Sequence, residues 1–203
     1  MSIAPIRETG FDPMTAGQTV YRRLLKASAH PGTIVELDDV GLAIEPTALG
    51  SACLLLLSVL DRELSFHVLG FGAESVSEYL RFNTGARSAA PEVADFVLVT
   101  GLATSGEIRR VNRGRGGPLG TGATVVYSAR RISPTPIPGA MKLVVATPNL
   151  SGVRRLHVDG IDRDDLYELQ ALGWGCLGVD IWLTAADGGL AVIPRSSIWT
   201  WED

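Results

Sequence analysis

Six residues of this chain are placed to bind an anion or move a proton. Gln18 and Arg22, with Lys26 after them, recur at i, i+4 and i+8 in QTVYRRLLKASAHPG, so their side chains share one helical stripe. His30 ends that segment two turns beyond Arg22 and Arg23. It is either a general acid–base group beside those cations or a hydrogen-bonding partner of the turn it opens. Arg81 closes a later helix, where a cation offsets the negative end of the helix dipole. Asp180 opens the apolar strand IWLT and Arg195 directly follows the last strand of its hairpin, so the two form either a structural ion pair or part of a site at a strand end. If the chain has a pocket, Gln18, Arg22, His30, Arg81, Asp180 and Arg195 are the residues expected near it. Of the 18 basic residues only Lys26 and Lys142 are lysine. Arginine suits bidentate grip of phosphate or carboxylate, although a GC-rich genome produces the same bias.

Several chemistries lack their residues. Pyridoxal phosphate needs a Schiff-base lysine; Lys26 lies on the polar side of a helix and Lys142 starts an ordinary strand. No GxxxxGK[ST] and no GxSxG occurs, so neither a P-loop nor a hydrolase elbow is present. His30, His67 and His157 are too dispersed to suggest a metal site. Cys53 and Cys176 form no CxxC pair, as expected of inert thiols in a reduced cytoplasmic protein. The loop Arg109–Gly120 carries Arg109, Arg110, Arg113 and Arg115 among glycines. It reads as a solvated loop, a phosphate grip or a segment that orders on a partner.

The elements that must hold these residues follow from periodicity. Asp12 and Pro13 suit the start of a first helix, Val20, Tyr21, Leu24 and Leu25 its buried face, and His30-Pro31-Gly32 its stop. Thr47 is placed to cap an all-apolar helix over Ala48–Leu60, about 13 residues and short of the ~20 that span a membrane. Strands are expected at 33–37, 64–69, 95–100, 123–129, 142–147, 154–158, 179–184 and 190–194. Helices are expected at 75–82, from Ser105, and at 163–172 capped by Asp162. Trp174, Trp182, Trp199 and Trp201 serve the core, or Ile198, Trp199 and Trp201 form an exposed edge for a dimer or partner contact. At 203 residues, with no clear boundary in Ser133–Gly139, the chain 1–203 reads as a single α/β domain with a mixed β-sheet and flanking helices. A net charge of −4 argues against a nucleic-acid binder, and the opening MSIAPIRETG has no apolar signal core.

The segment Gln18–Gly32 also resembles the N-terminal signature of the PhnH family: a glutamine, an aromatic–Arg pair three residues on, an aliphatic run and a Pro-Gly stop. Four further segments match in order. They are Leu80–Gly85 (LRFNTG), Gly117–Tyr127 (GPLGTGATVVY), Leu177–Asp180 (LGVD) and Ala191–Ser196 (AVIPRS). Cys176 stands where proline is common in the family, and Val158-Asp159-Gly160-Ile161 stands for its usual Gly-Pro-Gly-Ile.

The resemblance implies a fold like that of pyridoxal-phosphate-dependent transferases, without the cofactor. It implies a homodimer that assembles with PhnG, PhnI and PhnJ as a subunit of the carbon–phosphorus lyase core complex. That complex converts ATP and an alkylphosphonate to α-D-ribose 1-alkylphosphonate 5-triphosphate, and this chain would be an accessory subunit, cytoplasmic and bound to neither nucleic acid nor membrane. The alternative is a self-sufficient phosphoryl- or nucleotide-processing enzyme with an arginine-rich site, taking a phosphonate or nucleotide as ligand.

Overall fold

The computed structural model describes residues 16–37, 49–101, 103–114, 122–147, 152–172 and 177–202. They form four α-helices, α1 (Ala16–Ala29), α2 (Gly50–Val59), α3 (Ala73–Thr84) and α4 (Arg163–Ala171). The strands are β1 (Val35–Glu36), β2 (Ser65–Leu69), β3 (Arg87–Ser88), β4 (Phe96–Val99), β5 (Thr124–Ala129), β6 (Arg131–Ser133), β7 (Met141–Ala146), β8 (Val153–Asp159), β9 (Asp180–Ala185), β10 (Gly189–Ile193) and β11 (Ile198–Glu202).

These strands build two sheets, where the sequence suggested one mixed sheet. The larger has the order β1-β10-β9-β5-β4-β2-β3 and the smaller β11-β7-β8-β6. In the larger sheet β9, β5, β4, β2 and β3 are mutually parallel and β10 alone is antiparallel to its neighbours β9 and β1. The smaller sheet is wholly antiparallel. The difference arises at Arg130, where the chain leaves β5 and begins β6. Gly160 makes that crossing possible: at φ 85° it approaches Arg130 so closely that a Cβ would stand 2.7 Å from the Arg130 nitrogen. The Arg130 N–H also donates to the Asp159 carbonyl at 2.8 Å. The glycine of Val158-Asp159-Gly160-Ile161 therefore provides the turn even without the family's proline.

Central strands buried on both sides must be apolar throughout, and β4 (FVLV) is. Leu98 and Val126 enter a core shared with α1, α2 and α3, whereas Val97, Val99, Val125 and Tyr127 enter a second core beneath α4 and the smaller sheet. The expected all-round apolar helix is α2, in which Ala52 through Leu57 are all buried. Its N-cap is Leu49, without a side-chain bond; Thr47, like Asp12 and Pro13, lies outside the described residues. Burial pushes the Cys53 thiol up to about 12, which keeps it protonated and unreactive.

Three expectations change in detail. α1 buries Gly17, Val20, Leu24 and Ala27, while Tyr21 and Leu25 remain 49% and 51% exposed. The α1 stripe that faces α2 and β10 is one residue out of phase with the stripe the aromatic suggested. Ser105 does not start an α-helix; it takes φ 54° ahead of one 3-10 turn, Glu107–Arg110. Trp199 and Trp201 pack on the second core and Trp182 packs edge-on against Phe96, so only Ile198 of the expected edge is exposed.

The Tyr79 hydroxyl, buried between α3 and α2, has no hydrogen-bond partner among the described residues. A buried unpaired hydroxyl costs about 1–3 kcal/mol. Tyr79→Phe is therefore expected to raise the urea midpoint by an amount equivalent to about 1 kcal/mol; a lower midpoint would show that the hydroxyl is satisfied in solution.

Candidate functional site

The register of the larger sheet fixes where the candidate residues lie. Asp180 starts β9, Arg195 follows β10, His30 precedes β1 and Arg81 sits in the last turn of α3. Each is at the end of the sheet where the parallel strands begin. They are strung along that end rather than gathered: with strands ~4.8 Å apart, β9 and β3 are roughly 19 Å from each other. Gln18 and Arg22 precede His30 by two to three turns of α1, roughly 12–18 Å along its axis. Gln18, Arg22, His30 and Arg81 are all exposed.

Of the six, the structure joins Asp180 and Arg195. The Arg195 guanidinium donates to Asp180 Oδ2 through Nε at 3.1 Å and NH2 at 2.6 Å, and the Arg195 backbone N–H donates to Oδ1 at 2.8 Å. NH2 also donates to the Gly122 carbonyl at 2.9 Å. This arrangement ties the start of β9, the exit from β10 and the loop entering β5 into one clasp. Gly122 fits only as glycine, because a Cβ would lie 2.0 Å from the Gly178 carbonyl oxygen and 3.0 Å from Arg195 NH1. The His30 turn docks nearby, the Gly32 N–H donating to the Val192 carbonyl at 3.0 Å. The His30 ring turns back on its own helix, with Nδ1 3.1 Å from the Lys26 carbonyl oxygen. In the arginine-rich loop, Arg110 is engaged by Glu92 and Glu107. Arg115 lies outside the described residues. Among the described residues no three His, Cys, Asp or Glu side chains gather to hold a metal.

Open α/β sheets usually bind ligands at the opposite end, where the parallel strands finish and strand order reverses. Here that reversal falls between β2 and β4. The β2 exit, Gly70-Phe71-Gly72, leads into α3, and Thr100 Oγ1 donates to the Leu69 and Phe71 carbonyls at 3.1 and 2.7 Å. A Cβ on Gly70 would stand 3.0 Å from that hydroxyl. Phe71 is left 81% exposed beside this strand exit. The sequence signal for the exit was a glycine pair between a strand and a helix.

A second polar cluster, missed in the sequence, joins α4 to β5 and to the connection after β4. Asp165 of α4 is 1% exposed and accepts from the Thr104 N–H at 3.0 Å, the Thr104 hydroxyl at 2.5 Å and the Tyr127 hydroxyl at 2.9 Å. Asp162 caps α4 as expected, accepting from the Asp164 and Asp165 N–H groups. The clue was helical spacing, since Asp165 shares a face with the buried Leu166 and Leu169. Desolvation raises the Asp165 carboxyl above its ordinary range, and the bonds from Thr104 and Tyr127 oppose that rise. The same burial, with Asp165 alongside, raises the Tyr127 phenol and keeps it a donor.

A folded-state value raised above the unfolded one means that the native chain holds the extra proton. That contribution is complete below the ordinary carboxylate range and fades as pH rises through the raised value. Compared with Asp165→Asn, the unsubstituted chain should therefore lose relative stability as pH rises from ~4 to ~8, read from urea midpoints. An unchanged difference would show that Asp165 has an ordinary carboxyl. At the clasp, Arg195→Lys keeps the charge but loses the fork, so a destabilisation of about 1–2 kcal/mol is expected. Gly122→Ala should cost at least as much, because the carbonyl it meets is backbone; equal stability of either variant would remove the clasp as a structural element.

Comparison with known sequences identifies the family. The model of the family described as bacterial phosphonate metabolism protein (PhnH) matches residues 9–199. A protein of Stutzerimonas stutzeri named HtxG, described as a candidate C-P lyase subunit, is 31% identical over 190 residues, covering 89% of this chain and 84% of that protein. The chain belongs to the PhnH family of bacterial phosphonate metabolism proteins.

Proposed function

We propose that this chain is an accessory subunit of the carbon–phosphorus lyase core complex. It assembles there with PhnG, PhnI and PhnJ counterparts while forming a homodimer of its own. The assembly, located in the cytoplasm, converts ATP and an alkylphosphonate to the ribose alkylphosphonate triphosphate. The observation that carries the accessory role is the clasp: both Asp180 oxygens are occupied by Arg195, which also holds the Gly122 carbonyl. The one carboxylate of the six is thereby bonded within the fold. The remaining candidates are solvent-facing and separated by one or more turns or strands.

The fold relationship to pyridoxal-phosphate-dependent transferases belongs to the same proposal. The lysine positions support a chain without that cofactor. Lys26 is exposed on α1, and Lys142 Nζ is bound to Glu202 at 2.6 Å across β7 and β11. No helix among the described residues is long and apolar enough to cross a membrane.

The test is co-expression with the PhnG, PhnI and PhnJ counterparts of the same genome, followed by size-exclusion chromatography. The chain should co-elute with all three and, purified alone, turn over no ATP. A chain that elutes apart from the other three is not a subunit. ATP turnover by the isolated chain, lost in Arg22→Ala with the fold intact, would instead establish the self-sufficient enzyme.

A further inference from the structure

α1 has two stripes at helical spacing. Gly17, Val20, Leu24 and Ala27 are buried against the core. Gln18, Tyr21, Arg22, Leu25 and Lys26 repeat the i, i+3, i+4, i+7 pattern on the opposite side, and all five are exposed. Isolated exposed apolar residues are ordinary. A tyrosine and a leucine one turn apart, each about half exposed and flanked by Arg22 and Lys26, form a connected strip in which the tyrosine and the arginine are of the types enriched at interfaces.

We propose that this outward face of α1 is a docking surface for an acidic, partly apolar segment of another protein subunit. The inference rests on the reading of the chain as a complex subunit. Charge selects the occupant. The helix AGQTVYRRLLKASA contains no acidic residue, although the chain as a whole carries −4. Carboxylates opposite Arg22 and Lys26 would balance the stripe while apolar groups cover Tyr21 and Leu25. A second copy docked through the same face would bring cations against cations, which opposes an isologous contact. A small phosphorylated ligand would need a concave site, and this face is the convex side of a helix. One helix face supplies only part of the ~800 Å² that each partner buries in a standard interface, so this contact belongs to a larger one.

The experiment uses the complex co-expressed with PhnG, PhnI and PhnJ counterparts, treated with a carbodiimide that couples an amine directly to a carboxylate. Lys26 is expected to be joined to an aspartate or glutamate of one of those three subunits. Lys26→Arg should assemble normally and lose that cross-link. The double variant Arg22→Glu, Lys26→Glu should co-elute at least tenfold less while keeping the thermal midpoint of the unsubstituted chain; Tyr21→Ala, Leu25→Ala tests the apolar half in the same way. Full assembly of the charge-reversed chain, or a Lys26 cross-link to a second copy of this chain, overturns the inference but leaves the subunit reading intact. Failure of the unsubstituted chain to co-elute overturns both.

Discussion

The rest of the structure depends on burying the central parallel strands on both faces. A parallel sheet cannot leave one face to water, since its crossover connections run over both. β4 and β5 meet this demand residue by residue: Leu98 and Val126 point into the core under α1, α2 and α3, and Val97, Val99 and Val125 into the core over α4 and the smaller sheet. Helices cover the first face. The second is covered mainly by a twisted antiparallel sheet, which explains why the latter half of the chain is rich in strands.

The same constraint separates the two polar groupings. Asp180 and Arg195 lie where the parallel strands begin and hold the sheet's lower rim together. Asp165, Thr104 and Tyr127 lie on the second core and fasten α4 to the connection after β4. Both groups are satisfied from within the chain. A buried polar network of this kind is stabilising only when complete, because each donor left unpaired costs more than a made bond contributes. Both groups already hold several hydrogen bonds within the fold, the pattern expected of an architectural network.

Much of this was legible in the sequence, and the failures have physical causes. The apolar runs of α2, β4 and β5 announced buried elements, and Asp162 marked a helix start that the structure keeps. The Asp180–Arg195 pair was readable because both flank the strands of one hairpin. Tyr21 and Leu25 were misassigned because periodicity locates two apolar stripes on α1 without saying which meets the core. β1, β3 and β6 are only two or three residues long and are defined by their partners, so local pattern could not separate a second sheet from the first. Asp165 was passed over because an acid inside a helix ordinarily faces water; its partner Thr104 is 61 residues away in sequence.

The edges of both sheets have a consequence for how this protein can associate. The larger sheet ends in β1 and β3, each two residues long. At β11 of the smaller sheet, α4 lies alongside: Gln170 donates to the Trp199 carbonyl at 3.1 Å, and Tyr167 stacks edge-on against Trp201 at 4.9 Å. Short or covered edges offer little backbone for a foreign strand to extend. Among the described residues, the β1, β3 and β11 edges therefore give strand-by-strand polymerisation little to start from. Recognition at those three edges falls to side-chain chemistry, which can be specific to one partner, rather than to the peptide backbone, which is common to all.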